Sequence, residues 1–512
     1  RIENVTKNGK YYIVEGVANL KGQTLKLPNR AVLDCRNGIL KNGTIVGAGN
    51  RIVYDKPFVG EDLALEGCHV EDETLLSKKL LVSNSFSDLD VHNVFNLAKS
   101  GATIIYEKGT YKGVTPMSIS KSVSIDFSNS VIETAIDKYG LSSSVFLTEA
   151  QPKNSLKNLT IKNVIIDGLL PRYGIESGVG PRRNAIRLIG VKNVVLDNVT
   201  IRNFRLGTSG YYDKDIKKRH MAGVCAIMQY GNCVIQNCTI SMNTGEGFYL
   251  VPEENNQNYL LFRGNKSIKN YGTFLTLVDG KCLVEDNEMN VFGLSGMNVF
   301  CYNSVIRNNH FKGGERFNCI DITENGIYWP KDVEISGNEA DGCVGFIMVS
   351  GENITVTNNR CINPTSGFAL TVFGYVPTSV ESSGYLHQRN NVGEGVNINV
   401  INNQWICKGG IATYKGCNGI LTVESNSITF LTPNGWGIGV LSNAQSASSS
   451  SNITVEGNVT ASAISPTGIW ADTDSKGESY VEVEGDVVAS VTGEIVDKNG
   501  ISARGMGSGV SS

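Results

Sequence analysis

Asparagine recurs in this chain at one local offset: Asn163, Asn198, Asn237, Asn265, Asn287, Asn309, Asn338, Asn359, Asn403, Asn426 and Asn458 each close a short segment in which apolar and polar residues alternate. Leu159-Thr-Ile-Lys-Asn163, Val305-Ile-Arg-Asn-Asn309 and Ile354-Thr-Val-Thr-Asn-Asn359 are examples. Alternation with a period of two marks a half-buried strand, and asparagine tolerates the left-handed backbone of a bend. Between Asn265 and Asn359 the intervals are 22, 22, 29 and 21 residues, whereas intervals of 35, 39 and 44 elsewhere leave room for protruding loops. A recurring period in this range means stacked repeats. Each repeat reads as one coil of two or three short strands, with the amides of successive coils stacked so that like side chains hydrogen-bond along the axis. The asparagine row is therefore expected to be structural.

A chain of 512 residues exceeds the roughly 250–300 residues that one core supports, so it is either several domains or a quasi-one-dimensional stack. The repeat selects the stack. Glycine at 57 residues, with only 19% charged residues, favours strands joined by many bends. A formal charge of −3 offers no basic field for nucleic acid, and no apolar run reaches the ~18–20 residues of a membrane span. The 12 cysteines contain no Cys-x-x-Cys pair, which fits neither a zinc site nor a small disulfide scaffold. Buried free thiols are expected, a usage that suits a reducing compartment unless stacking pairs them. The chain begins at Arg1 with no signal-like segment, and a missing or processed N-terminus is expected.

Residues 1–84 read as a β-rich leader, with Thr24-Leu-Lys-Leu and Gly43-Thr-Ile-Val as short strands. In the next stretch, 85–150, Val91, Val94, Phe95 and Ala98 have helical spacing. A short capping helix over Asp88–Ser100, stopped by Gly101, is expected there, followed by the first coils. The main solenoid occupies 151–475, with insertions at 169–185, 205–222, 252–258 and 375–395; final strands and a Gly/Ser-rich tail fill 476–512.

The helical spacing followed by Gly101-Ala-Thr-Ile-Ile-Tyr-Glu-Lys-Gly-Thr-Tyr111 and by Asn-ended coils resembles the pectate-lyase-like right-handed β-helix proteins over roughly residues 85 to 475. The leader segment Leu27-Pro-Asn-Arg-Ala-Val-Leu-Asp-Cys-Arg-Asn-Gly-Ile-Leu-Lys-Asn-Gly-Thr-Ile-Val46 resembles leaders of tail-spike-like proteins from phages and prophages of Bacteroides-type bacteria. The resemblance implies an all-β, single-stranded right-handed parallel β-helix, a homotrimer, and a depolymerase of bacterial surface glycan placed on a virion tail or outside the cell. A secreted bacterial polysaccharide hydrolase or lyase, and a non-catalytic adhesin or structural tail protein, share the fold.

A β-helix presents long shallow faces with coils ~4.8 Å apart, a geometry suited to an extended polysaccharide. Glycosidic hydrolysis usually takes two carboxyl groups, ~5–5.5 Å apart for retention and ~6.5–9.5 Å for inversion; β-elimination takes a base and a cationic partner for the substrate carboxylate. In Phe317-Asn-Cys-Ile-Asp-Ile-Thr323 the alternation sends Ile320 and Ile322 inward and Asp321 outward. Glu246, nine residues after Asn237, and Asp279, fourteen after Asn265, are further acid, base or nucleophile candidates that also read as turn residues; Glu324 is either a partner of Asp321 or a rim charge. For gripping sugar, Tyr211, Tyr212, Arg219 and His220 stand in one insertion, Arg182 and Arg183 in the one before it, and Tyr385, His387 and Arg389 in a later one. Aromatic faces and guanidinium groups suit pyranose rings and acidic substituents. His220 and His310 are acid–base candidates by residue type alone. The acidic motifs of polygalacturonases and the signatures of pectate lyases are absent, so no catalytic residue transfers from those families. No cofactor or metal is expected from ligand spacing, although a Ca²⁺ site assembled from separate coils would leave no trace in sequence.

Overall fold

A computed structural model describes residues 5–53, 63–68, 77–82, 95, 98–148, 156–171, 184–205, 223–229, 231–252, 259–293, 295–314, 318–322, 330–362, 368–373, 396–406, 409–414, 418–424, 427–429, 438–444, 450–456, 459–463, 467–473, 478–483, 486–491, 499–505 and 510–511. It divides into two compact units, one ending at Asn243 and one starting at Thr244. Both are built almost wholly of parallel strands.

The first unit opens with a three-stranded parallel sheet, Tyr11–Lys26, Val32–Val53 and Leu63–Cys68. Beyond it the strands form stacked coils. Ile104, Ile125, Ile161, Leu196 and Ile235 stand in register on consecutive coils, and each is 0% exposed. Burying such a side chain is worth ~1.5–3 kcal/mol, so each coil adds a similar increment by covering its neighbour.

The second unit repeats the plan. Phe262, Val284, Ile306, Ile335, Val356 and Val400 form one inward column through six coils. Alternate residues of the same strands face outward, the period-two pattern read from the sequence. The architecture is the expected all-β parallel β-helix.

The described asparagines fall into two rows, which corrects the single ladder expected from the sequence; Asn426 and Asn458 lie outside the described residues. Asn163, Asn198 and Asn237 themselves hold the left-handed bend, at φ of 57°, 54° and 55°, and their side chains are not buried. In the second unit the bend belongs to the residue before: Gly264, Asp286, Asn308, Gly337, Asn358 and Asn402 have the positive φ. Asn265, Asn287, Asn309, Asn338, Asn359 and Asn403 follow them and turn into the core, buried to 2% exposure or less. There they form a continuous buried ladder, whereas in the first unit the stacking is a surface contact in which Asn198 Nδ2 donates to Asn163 Oδ1 at 2.9 Å. Asn287 Nδ2 donates to Asn309 Oδ1 at 2.8 Å, Asn309 to Asn338 at 2.9 Å, Asn338 to Asn359 and Asn359 to Asn403 both at 3.0 Å. Each accepting Oδ1 also takes the backbone N–H of the preceding asparagine, and each Nδ2 bonds a carbonyl one coil back, as Asn338 does to Ile306. Buried amides are tolerated only when satisfied in this way.

The expected capping helix is corrected in part. Ala98–Ser100 open the strand Ala98–Tyr106, where Ala98 pairs with Ser77. Phe95 is helical and buried, and the other residues of 88–97 lie outside those described. Parallel pairing overrides the local helical spacing at its C-terminal end.

Candidate functional site

In the second unit, Glu246–Pro252, Leu275–Glu285, Met297–Arg307, Asn318–Ile322, Gly345–Val349 and Phe368–Phe373 stack as one parallel face. Phe248, Leu275, Met297, Ile320, Ile347 and Leu370 form its inner column. The next residue of each strand points outward, and the register therefore aligns Tyr249, Thr276, Asn298, Asp321, Met348 and Thr371 in a row across six coils. Asp321 is half-buried between the fully buried Ile320 and Ile322, in the orientation the sequence alternation requires.

Two contacts and one unpartnered atom shape this row. Thr276 Oγ1 donates to Glu246 Oε2 at 3.3 Å, so the Glu246 carboxylate leans over the row from its own strand. Asn318 Nδ2 points at Met348 Sδ at 3.4 Å, beside Asp321 on the following coil. Between Thr276 and Asp321, Asn298 keeps a buried Oδ1 that no donor reaches. A buried acceptor without a partner costs ~1–3 kcal/mol, and such an atom calls for a reason.

Asp321 and Glu246 thus face one row. Asp321 lies two coil steps from Thr276, roughly 10 Å along the stack at ~4.8 Å per step. The Glu246 strand lies one step further still, and its carboxylate reaches back only as far as the Thr276 hydroxyl, so the two carboxyl groups stand well beyond the ~5–5.5 Å of retention. Asp279 stands three residues beyond Thr276, at a bulge where the register shifts between Val278 and Gly280. Glu324 and the loop residues Arg182, Arg183, Tyr211, Tyr212, Arg219, His220, Tyr385, His387 and Arg389 lie outside the described residues. His310 belongs to a different row, Lys266, Glu288, His310, Glu339, Arg360 and Gln404. Its Nδ1 is 3.8 Å from Glu339 Oε1 in a ladder of mostly alternating charge.

Sequence reasoning missed Thr276 and Asn298. A signal existed: Thr276 and Asn298 each stand eleven residues after the ladder asparagines Asn265 and Asn287, and Asp321 stands twelve after Asn309. Among the described residues, no group of three or more His, Cys, Asp or Glu side chains is placed to hold a metal ion. All ten described cysteines are free and buried, the state expected from their scatter.

No known family profile matches the chain, and neither does any curated protein. Among solved structures, a periplasmic alginate epimerase aligns at a TM-score of 0.27 and 11% identity, over 94% of this chain and 85% of that one. A similarity at that level is too low to bear on activity.

Proposed function

We propose that the second unit lays an extended polysaccharide across the row from Tyr249 to Thr371 and cleaves it, with Asp321 as general acid and Glu246 as general base. The observation behind this reading is the row itself: aromatic, hydroxyl, amide and carboxyl groups on consecutive coils, with a carboxylate at each side of Thr276 and Asn298. The Thr276 hydroxyl donates to Glu246 and so favours its ionised, basic form. On the coil before Asp321, the unpartnered Asn298 Oδ1 offers an acceptor to a protonated carboxyl, the form a general acid needs. In the reaction, Asp321 gives its proton to the leaving glycosidic oxygen while Glu246 takes one from the attacking water. A separation well beyond ~5–5.5 Å leaves room for that water and favours inversion over retention.

The finer reading is a tail-spike-like depolymerase of bacterial surface glycan, acting as a homotrimer outside the cell; it is supported by the resemblance of Leu27–Val46 alone. Light scattering on the purified chain tests the trimer.

Cleavage is tested by measuring new reducing ends from a panel of bacterial capsular and acidic plant polysaccharides, with Asp321→Asn and Glu246→Gln alongside. Loss of about 10²-fold or more in each variant is expected, with inverted configuration in the first product by NMR. Full activity of Asp321→Asn would overturn the assignment, and glycan binding without any release would leave an adhesin.

A further inference from the structure

Another face of the second unit carries a different row. Tyr259 pairs with Lys281, and Tyr302 with Lys331, on strands Tyr259–Arg263, Leu275–Glu285, Met297–Arg307 and Lys331–Ser336. Lys281 and Tyr302 are joined across the remaining step, because the Lys281 ammonium sits 5.7 Å from the Tyr302 ring centroid. That is within cation–π reach. The four side chains alternate aromatic, cation, aromatic, cation over three coil steps, ~14 Å at ~4.8 Å each.

Two of these groups have unmet capacity. Among the described residues Lys281 has no carboxylate or hydrogen-bond partner besides the Tyr302 ring, and Tyr259, 40% exposed, has no hydrogen bond at its hydroxyl. Lys331 is held by Glu352 at 3.2 Å but keeps half its side chain in solvent. Next to this row runs an outward apolar one, Leu261, Leu283 and Val305, in register and only half-buried. Beyond it the single Glu285 bridges both Arg263 at 3.5 Å and Arg307 at 2.7 Å, and the exposed Glu334 follows Val305 in register on the next coil. Lys281, the cation of this row that no carboxylate of the described residues pairs, therefore stands beside an apolar strip.

We propose that this face is a second glycan-binding surface, separate from the Asp321 row, that takes an extended polysaccharide bearing carboxylates. Sugar carboxylates lie against Lys281 and Lys331, a ring hydroxyl meets the Tyr259 hydroxyl, and the C–H faces of the sugars cover Leu261, Leu283 and Val305. A neutral glycan leaves the Lys281 ammonium without a counter-charge. Binding here does not depend on cleavage at the other face.

Affinity electrophoresis of the full chain through gels containing polygalacturonate, dextran sulfate or dextran tests this. Retardation by polygalacturonate is expected, weakened by salt, with none by dextran. Lys281→Ala should weaken it by at least roughly fivefold, Lys281→Arg should keep it, and Asp321→Asn should leave it unchanged. The thermal midpoint of each variant reports folding, and Tyr259→Ala, at an exposed position, serves if Lys281→Ala does not fold. The proposal is overturned by equal retardation of wild type and Lys281→Ala, by loss in Asp321→Asn alone, by preference for dextran sulfate over polygalacturonate, or by no retardation in any gel.

Discussion

Asn309 passes one hydrogen bond to Asn338 through its side-chain amide at 2.9 Å and a second through its backbone N–H at 3.0 Å, both to the same Oδ1. Asn338 in turn donates to Ile306 O and Asn359 Oδ1, each at 3.0 Å. One buried side chain therefore satisfies four groups on its neighbours.

Asn338→Ala removes all four bonds and strands the Asn309 backbone N–H outright, while Asn359 Oδ1 keeps the residue-338 N–H and Asn309 Nδ2 keeps Val284 O. With buried unsatisfied groups costing ~1–3 kcal/mol each and partial relaxation, a loss of about 3–5 kcal/mol is expected. Because a solenoid opens locally, hydrogen exchange should rise most around Ile306 and Asn359. Asn237→Gly is the contrasting substitution. That side chain is exposed, and glycine keeps the left-handed bend at the cost of one bond to Asp197. Urea unfolding should place it within ~0.5 kcal/mol of wild type. Equal costs for the two variants would refute the division into two rows.

This division also marks what the sequence could and could not reveal. A stack needs the same side chain at the same place on every coil, so the 22-residue spacing of Asn265, Asn287 and Asn309 exposes the fold directly. Asparagine is equally suited to the bend and to the ladder, and the one-residue difference between Asn198 and Asn287 is invisible without φ. Asp321 was legible because a carboxylate between Ile320 and Ile322 breaks an apolar strand. Asn298 was not, because an amide facing outward in Met-Asn-Val looks ordinary until the coils are set in register and its Oδ1 is found without a donor.

Asn298→Leu separates stability from activity. Its Oδ1 already stands unpaired, so a similar-sized apolar side chain removes an orphan rather than a bond, and the midpoint of unfolding should move by less than ~1 kcal/mol or rise. Catalysis should suffer instead. Without the acceptor beside Asp321, the alkaline limb of the kcat profile should shift to lower pH. A destabilised variant with an unchanged pH profile would make Asn298 merely structural.

Acid sensitivity of the first unit is set by Asp167 and Asp126. Burial works to raise the pKa of Asp167, but the Asn203 amide at 3.0 Å, the Leu169 N–H at 2.9 Å and Arg202 Nε at 2.8 Å outweigh it, and the net shift is downward. Asp126 is likewise lowered against burial by Asn163, the Ser128 N–H and Lys162. A carboxylate whose pKa falls on folding stabilises fully above its unfolded value of ~3.9 and loses that contribution as pH drops through the folded value. Thermal midpoints of wild type should therefore be steady above about pH 5 and fall below about pH 4. Asp167→Asn should start lower at pH 7 and show a shallower acid limb.

Burial likewise governs the thiols. It pushes Cys68 up to about 11 and Cys238 to about 12, and raises Cys225, Cys233 and Cys319 as well. Cys343 is the exception, because a hydrogen bond with the Cys319 thiol favours its thiolate against the opposing effect of burial. Native protein at pH 8 should leave all ten described cysteines unreactive toward a bulky aromatic disulfide reagent, since thiolate and access are both required. Denaturant should release all of them. At intermediate denaturant, peptide mapping should find Cys343 labelled before Cys319, and Cys319→Ala should slow Cys343 labelling because the donor that lowers its pKa is gone. Labelling of any of the ten in fully native protein would contradict the packing, and a shortfall after unfolding would reveal a disulfide where the coils hold free thiols.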